Sequence, residues 1–326
     1  MRNHDSRRTG RPRSSGVAFD PEVVLARPRF VVLVAALAVA LPFGAGAGSG
    51  RTAAPALGAY GGLGTWIDIY SPTSAADPDA LAGALAQRGV ETAFVETGNY
   101  RQRVDVVRVS WLGRFVEAAH AHGLSVVGWY LPSLTDPGRD LRRSLAAAEF
   151  RTSQGEHFDS FALDIESSAV RSAAERGRRL LALSLRLRTA VGLEYPLGAI
   201  IPSPVGMKRL PHYWPGFPYR ELAQLYDVFL PMAYFSYRVN GRAAVARYVT
   251  QSVTTIRIRS GVPTVPIHVI GGLAGATDQR DAAGFLQAVA GCRVLGFSLY
   301  DYFTTKQSVW PMLQAQRAAA PRQARC

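Results

Sequence analysis

Cysteine is scarce in this chain. Only two of the 326 residues are cysteines, Cys292 and Cys326, and the second of them is the last residue of the sequence. Folds that depend on disulfides carry several cysteines at characteristic spacings. We therefore expect no obligatory disulfide framework and a fold that is held by its hydrophobic core.

Motifs of metal, nucleophile and nucleotide sites are also missing. His120 and His122 are two residues apart in a predicted helix, which puts them on different faces, and the zinc pattern H-E-x-x-H does not occur. The nucleophile elbow G-x-S-x-G is absent, and no glycine-rich phosphate fingerprint follows the first predicted strand. His268 lies inside a predicted strand and is expected to be a satisfied core residue. We expect no metal and no cofactor.

A net charge of +13 suggests nucleic-acid binding, but the positions of the charges remove most of that case. Residues 1–29 contain seven arginines and three acidic residues, and residues 317–326 add three arginines. Another arginine run within 176–188 lies in a predicted helix, where a solvated helix face explains it. We expect no nucleic acid as a partner.

The N-terminal region has the order of a secretory signal. The unbroken apolar run at 30–41 follows a basic segment and precedes Pro42 and the small-residue stretch GAGAGSG. Residues 45–47 form an A-x-A-like cleavage site, and the apolar run is short for a membrane span. The sequence leaves open a cleaved signal or a retained anchor. Both predict a protein that is secreted or anchored on the outer face of the cytoplasmic membrane, with residues 1–55 separate from the fold.

The rest of the chain alternates strand-like and helix-like segments. Eight runs rich in β-branched and aromatic residues are each followed by a helical stretch. The runs cover residues 65–70, 92–96, 125–131, 160–166, 197–201, 228–233, 266–270 and 294–299. Runs that are hydrophobic nearly throughout suit parallel strands covered on both faces. Eight such units predict one α/β domain, a (β/α)8 barrel over 62–316, followed by a basic tail at 317–326.

The fourth run ends in an acidic pair. Active sites of such barrels lie at the carboxyl ends of the strands, and in FALDIES (161–167) Asp164 and Glu166 are two residues apart and share a face. Neighbouring carboxyls repel, which keeps one of them protonated near neutral pH, as a general acid requires. The alternative is that each carboxylate pairs with an arginine from a neighbouring loop.

The segment FDSFALDIE (158–166) resembles the fourth-strand signature D-G-x-D-x-D-x-E of family-18 glycoside hydrolases. Asp159, Asp164 and Glu166 match its first Asp, its last Asp and its Glu. Ser160 and Ala162 replace the Gly and the middle Asp, which supports its neighbour in that family. The resemblance implies that Glu166 is the general acid/base and that Asp164 orients or stabilises the reacting acetamide of an N-acetyl sugar.

A second match to this family is PMAY at 231–234, similar to the sixth-strand M-x-Y. It implies that the Tyr234 hydroxyl helps to hold the acetamide. Phe235 stands where the family has an Asp, Tyr300 replaces the eighth-strand Trp below the sugar, and the third-strand S-x-G-G is missing.

A weaker resemblance is to family-25 lysozymes, whose first strand ends in an Asp and whose fourth strand carries D-x-E. It rests on WIDIYSPTS (66–74) and LDIES (163–167), and it places Asp68 at the first-strand Asp.

Other candidate substrate-binding residues close the remaining strands or lie in the long aromatic loop at 202–219. The full set is Asp68, Glu96, Trp129, Tyr130, Trp214 and Tyr300. Aromatic rings can stack on the apolar faces of sugars. The alternatives are that Trp214 packs on the barrel rim with its aromatic neighbours and that Trp129 fills a layer of the barrel interior.

Both resemblances imply a retaining glycoside hydrolase that acts on an N-acetyl sugar, with the substrate's own acetamide as the nucleophile. Together with the predicted export signal, they predict an enzyme that acts outside the cytoplasm on chitin-like or peptidoglycan-like polysaccharide. A hypothesis of another class is a non-catalytic, lectin-like barrel of the cell surface, which Ala162 and Tyr300 favour. A third is a surface scaffold, which would be marked by a mouth without an acid pair. We expect a monomer whose partner is a glycan and which meets the membrane only through an N-terminal anchor.

Overall fold

The computed structural model describes residues 57–72, 76–318 and 326. The predicted signal or anchor segment at 1–55 lies outside the described residues, as does most of the predicted basic tail. Among the described residues, no helix is both long enough and apolar enough to cross a bilayer.

Eight parallel strands form a closed barrel, in which each strand pairs with the next and the last pairs with the first. They are β1 (Gly62–Ile67), β2 (Thr92–Asn99), β3 (Ser125–Leu131), β4 (Ser160–Asp164), β5 (Leu197–Pro202), β6 (Val228–Met232), β7 (His268–Leu273) and β8 (Gly296–Tyr300). The predicted (β/α)8 barrel is confirmed, and all eight predicted strands are present. The first strand begins earlier than predicted, at Gly62, and ends at Ile67.

Helices follow the strands and cover the outside of the barrel. They are α1 (Pro78–Gln87), α2 (Val109–Ala121), α3 (Pro137–Ala148), α4 (Ala173–Val191), α5 (Pro204–Arg209), α6 (Tyr219–Leu225), α7 (Arg242–Ser260), α8 (Gln279–Cys292) and α9 (Trp310–Ala318). Several begin at a capping side chain. Asp77 accepts a hydrogen bond from the Ala80 N–H at the start of α1, and Asp278 accepts one from the Asp281 N–H in α8. These two caps fix where the loops before α1 and α8 end.

The inside of the barrel is packed with side chains below its mouth. Trp66, Phe94, Val127, Ala162 and Ile200 belong to this interior cluster, which is separate from the larger apolar layer between strands and helices. Period-two alternation along each strand produces the two layers, because successive side chains point inward and outward. Because the interior is filled, a ligand can enter the barrel itself only at its mouth, at the carboxyl ends of the strands.

A short 3-10 helix, Leu57–Tyr60, closes the barrel at the end where the strands begin, opposite the mouth. The Tyr60 hydroxyl is 2.6 Å from Ser160 Oγ, and the Tyr60 carbonyl oxygen accepts a hydrogen bond from His268 Nδ1 at 2.9 Å. Burial lowers the pKa of His268 to about 4, so the ring is neutral, and its predicted place as a satisfied core residue is confirmed. Gly296 is required beside them, because a Cβ there would lie 2.3 Å from His268 Nδ1.

Cys292, at the end of α8, and Cys326 form a disulfide with Cα atoms 4.6 Å apart. This single bond joins α8 to the last residue of the sequence and adds a cross-link that the sequence analysis did not predict. The two cysteines are 34 residues apart in the sequence, and only the tertiary fold brings them within bonding distance.

Candidate active site

A cavity of about 250 Å³ opens at the carboxyl ends of the strands. Three carboxyl side chains line it, Glu96, Asp164 and Glu166, together with the aromatic residues Trp66, Tyr70, Trp129, Tyr234, Tyr237 and Tyr300. Among the described residues that line it, none is basic. The cavity is small for a ligand site and combines apolar walls with a few polar groups, as binding sites for small molecules do.

The alternation of side chains at the end of β4 brings Asp164 and Glu166 to the same side of the barrel. Ile165, between Asp164 and Glu166, is buried on the opposite face, and its N–H donates to the Ile200 carbonyl oxygen at 2.8 Å. The extended backbone therefore continues past the strand, and both carboxyls face the cavity. Neither has an arginine partner among the described residues, so the ion-pair alternative does not hold for this part of the chain.

Asp164 is an unpaired buried acid. Its side chain is 6% exposed, and Oδ1 is completely buried without a hydrogen bond to any described residue. Burial raises the pKa of Asp164 well above its ordinary value, and the charges of Glu166 and Glu96 raise it further. Ala162, the next inward-facing residue below it, supplies only a methyl group, which can neither donate nor accept a hydrogen bond.

Glu166 occupies the rim of the same cavity. Its side chain is exposed to solvent, although nearby protein displaces part of the water around the carboxylate and raises its pKa. Because solvent weakens this effect at the rim, we assign the larger rise in pKa to the buried Asp164. The carboxylate of Glu166 makes no hydrogen bond within the described residues and is free to contact a ligand.

Glu96, at the end of β2, is the third carboxyl. It is 2% exposed and accepts hydrogen bonds from the Ile69 N–H and from Asn99 Nδ2, both at 3.0 Å. Burial raises the pKa of Glu96 from 4.5 to about 7, against the effect of these two hydrogen bonds. Glu96 therefore changes charge near neutral pH and changes the electrostatic potential at Asp164 when it does so.

Glu96→Gln should make the stability of the protein less sensitive to pH. Folding raises the pKa of this carboxyl, so the protonated Glu96 stabilises the folded protein. This contribution is complete below the unfolded pKa and is lost as the pH rises toward 7. The variant lacks this loss, so its free energy of unfolding relative to wild type should increase by about 3 kcal/mol between pH 4.5 and pH 8. Urea unfolding at several pH values measures the difference.

The matched control for this prediction is Glu194→Gln, which alters an exposed glutamate in the loop before β5. Its pH dependence should equal that of wild type. A lost hydrogen bond in Glu96→Gln would lower stability equally at every pH, so parallel curves for Glu96→Gln and wild type would contradict the assignment.

Tyr234 follows β6 and lines the cavity. Burial, followed by the charges of Glu166 and Asp164, raises the pKa of Tyr234 well above its ordinary value, so its hydroxyl remains a proton donor. This hydroxyl has no hydrogen-bond partner among the described residues. Its ring lies 6.0 Å, between centroids, from that of Tyr300. Tyr234 can thus donate a hydrogen bond to a ligand beside the acidic pair.

Asp68 accepts a hydrogen bond from Tyr300, a residue that lines the cavity. Its Oδ2 accepts a hydrogen bond from the Tyr300 hydroxyl at 2.7 Å, and its Oδ1 accepts from the N–H groups of Tyr70 at 2.8 Å and Ser71 at 2.6 Å. Both oxygens are occupied, and Asp68 is not among the residues that line the cavity. Asp68 holds the Tyr300 hydroxyl in place, and its own contact with a substrate stays a prediction.

Two other predicted binding residues lie outside the cavity. Tyr130 is buried on the outer side of β3, where its hydroxyl donates to Asp140 Oδ1 at 2.8 Å, because it alternates with the inward-facing Trp129. Trp214 is 3% exposed and packs under the Arg176 guanidinium, 4.1 Å from the ring centroid. The first is an error of strand face. Trp214 packs against neighbouring residues, as the alternative for the aromatic loop predicted.

The aromatic loop contributes to the site in a way that sequence reasoning missed. The hydroxyl of Tyr213 donates a hydrogen bond to the backbone carbonyl oxygen of Glu166, and Arg176 donates to the carbonyl oxygen of Tyr213. Arg176 also donates to the Val170 carbonyl oxygen at 3.3 Å. The loop therefore fixes the segment that carries Glu166.

Tyr237 is a cavity residue that sequence reasoning did not single out. It lies in a 3-10 turn after β6, and its side chain is 65% exposed. Tyr70, after β1, is 70% exposed and lines the same cavity. The available signal was their position shortly after the ends of strands, where exposed aromatic residues can contact a ligand.

No protein-family model matches the sequence, and no curated protein matches it either. Solved structures do match. An endo-β-1,4-mannanase from Thermotoga petrophila is 9% identical, with a TM-score of 0.61 over 80% of this chain and 77% of the enzyme. The chain has the fold of that enzyme.

Two further structures share this fold. The spore cortex-lytic enzyme SleL from Bacillus cereus is 8% identical, with a TM-score of 0.59 over 79% of this chain and 74% of SleL. A chitinase from Chromobacterium violaceum is 12% identical, with a TM-score of 0.56 over 80% of this chain and 99% of the chitinase. At these identities the likeness concerns the barrel fold.

Among the described residues, no group of three His, Cys, Asp or Glu side chains is arranged to hold a metal ion. The polar groups that line the cavity include its carboxyls, its tyrosine hydroxyls and the Trp129 indole.

Proposed function

We propose that this protein is a glycoside hydrolase that acts outside the cytoplasm on polysaccharide containing N-acetyl sugars, by a retaining mechanism in which the substrate assists. The observation that carries the proposal is the acidic pair at the end of β4. Asp164 and Glu166 line one aromatic-walled cavity, where Asp164 is buried with no hydrogen-bond partner for Oδ1 in the described part of the chain and Glu166 lies at the rim. These positions allow two carboxyls to perform different tasks.

In the first step, Glu166 gives its proton to the glycosidic oxygen, and the bond between that oxygen and C1 breaks. The carbonyl oxygen of the C2 acetamide bonds to C1 from the other face, which forms a cyclic oxazolinium intermediate. Asp164 accepts a hydrogen bond from the acetamide N–H and stabilises the positive charge. Tyr234 donates a hydrogen bond to the acetamide oxygen and orients it.

In the second step, the Glu166 carboxylate takes a proton from water, whose oxygen bonds to C1 while the acetamide oxygen leaves. Two displacements at C1 give net retention of configuration, and Glu166 regains its proton. The acids that line the described cavity are Glu96 at the end of β2 and the acidic pair at the end of β4.

The proton must be on Glu166 when the bond breaks, whereas burial favours the protonated form of Asp164 in the free protein. The substrate resolves this conflict. An acetamide N–H that donates to Asp164 favours its ionised form and lowers its pKa, while a sugar at the mouth removes water from Glu166 and raises the pKa of that residue. Binding of an N-acetyl sugar thus moves the shared proton to the acid that needs it.

A non-catalytic, glycan-binding barrel is the second candidate. The observation that favours it is Ala162, which leaves Asp164 without the carboxylate neighbour that the family-18 signature would supply. In that case the cavity would bind a sugar without cleaving it.

The deciding experiment is an assay for new reducing ends with chitin oligomers, peptidoglycan and mannan. The proposal expects turnover on one or both N-acetylated polymers and none on mannan. Binding to N-acetylated oligomers without turnover would favour the lectin-like barrel. Turnover on mannan alone would contradict the assignment of an N-acetyl sugar.

Location outside the cytoplasm is also part of the proposal. The basic segment with its apolar run at 30–41 supports it, as does the disulfide between Cys292 and Cys326, since such bonds persist in oxidising compartments. Fractionation of cells that express the full chain should recover the protein in the medium or on the membrane, with these thiols blocked. A cytosolic protein with two free thiols would contradict this part of the proposal.

A further inference from the structure

Two buried polar atoms of the cavity residues lack hydrogen-bond partners among the described residues. One is Oδ1 of Asp164, an acceptor when the acid is ionised, and the other is Nε1 of Trp129, which can only donate. Trp129 is 5% exposed and Asp164 is 6% exposed. Leaving a buried polar atom unpaired is costly, so such atoms in a ligand cavity indicate groups that the ligand satisfies.

The fold places these two atoms on neighbouring strands. Trp129 on β3 is in register with Ala162 on β4, and Asp164 is the next inward-facing residue above Ala162. One strand spacing and two residues along a strand separate their Cα atoms by about 8 Å. At the level of Trp129, β4 contributes only the methyl group of Ala162. The indole of Trp129 and the carboxyl of Asp164 both line the same cavity.

The ring of Trp129 has little surface left for stacking on a sugar. It packs edge to face against Trp66, with centroids 5.9 Å apart, and belongs to the interior cluster with Ala162 and Ile200. Trp66 differs in that its own Nε1 donates to Ser298 Oγ at 2.8 Å. Of these two indoles, Trp129 is the one whose N–H is unsatisfied.

We propose that Trp129 is a specificity-determining residue whose indole N–H donates a hydrogen bond to the carbonyl oxygen of the C2 acetamide in the initial complex, while Asp164 accepts from the N–H of the same acetamide. The indole and Tyr234 then each use one lone pair of that oxygen, and the indole releases its lone pair when the oxygen bonds to C1. A secondary amide carries a donor and an acceptor on different atoms and can bridge side chains on two strands. A sugar hydroxyl carries both on one oxygen and spans less. This inference rests on the proposed function for the class of sugar. It assigns the preference for an acetamide over a hydroxyl at C2 to Trp129, which lies outside the β4 motif.

The test compares two variants with two ligands. Chitotetraose and cellotetraose share a β-1,4 glucose backbone and differ in carrying an acetamide or a hydroxyl at C2. Kd values for wild type and Trp129→Phe, measured by calorimetry in a Glu166→Gln background that prevents turnover, form a cycle that isolates the contact between indole and acetamide. The affinity for chitotetraose should fall about fivefold to tenfold more than that for cellotetraose.

Trp111→Phe is the matched control, because its indole donates to the Ala76 carbonyl oxygen at 3.0 Å outside the cavity. It should leave the ratio of the two Kd values unchanged. An equal loss of affinity for both ligands in Trp129→Phe would show that Trp129 only supports the fold, and it would overturn the inference. A wild type that does not prefer chitotetraose would instead contradict the proposed function.

A measurement on the unaltered indole covers the case in which Trp129→Phe does not fold. The indole N–H signals of the five tryptophans can be followed by NMR in protein labelled with ¹⁵N-tryptophan. Chitotetraose should shift one buried indole proton downfield, as a new hydrogen bond does, and cellotetraose should not. No downfield shift of any indole proton in the chitotetraose complex would overturn the inference.

Discussion

Glu166→Gln should abolish most of the turnover and leave binding intact. The amide keeps the shape of the side chain and one hydrogen-bonding oxygen but cannot give up a proton to the glycosidic oxygen. General acid catalysis contributes about 10² to 10⁴-fold, so kcat should fall by this factor on the N-acetylated substrate that wild type cleaves. Initial rates of reducing-end release and Kd values for a chitin oligomer measure the two effects.

The control for this prediction is again Glu194→Gln, which removes one exposed negative charge from the same chain at a distance from the site. Its kcat should equal that of wild type. If Glu166→Gln retained full activity, the acid would have to be sought elsewhere in the cavity, and Glu96, with its pKa of about 7, would be the next residue to replace.

Asp164→Asn should lower activity and raise stability. An asparagine cannot offer a negative charge to the oxazolinium, and loss of such electrostatic stabilisation costs about 10² to 10³-fold in kcat. The alkaline limb of the pH profile, where Glu166 loses its proton, should also move to lower pH, because an ionised Asp164 in the substrate complex favours the protonated form of Glu166 and the asparagine does not.

The stability part of this prediction has a definite sign. The pKa of Asp164 is raised by folding, so wild type loses stability as the pH rises above the unfolded pKa of about 4, and the variant does not. The melting temperature of Asp164→Asn relative to wild type should therefore rise from pH 4 to pH 8. A variant that is less stable than wild type by a constant amount across this range would show that Asp164 has a partner in the folded protein. Stability sacrificed at such a position is typical of a functional site.

The barrel could be predicted from the sequence because its signal is repeated. Each of eight strands has to be apolar on both faces, and each is followed by a helix, so an error at one boundary does not alter the count. Boundaries were less certain, as at β1, because pairing with β8 decides where the strand begins.

The acidic pair could be predicted for a local reason. Residues two apart on a strand share a face in any sheet, so Asp164 and Glu166 had to point the same way. The same rule applied to Trp129 and Tyr130 shows that only one of them can face the cavity. Both were proposed as binding residues, and the structure keeps Trp129 inside and directs Tyr130 to Asp140.

The sequence by itself determined the eight-unit barrel, the end at which its cavity lies and the strand that carries the acidic pair, because each depends on short-range periodicity. Tertiary structure alone decided which polar atoms have partners. Asp68 accepts a hydrogen bond from Tyr300 on β8, the backbone of Glu166 accepts one from Tyr213 in the aromatic loop, and Oδ1 of Asp164 has no partner among the described residues. These contacts join residues far apart in the chain, and a hydrogen bond depends on distances and directions that a sequence pattern does not contain.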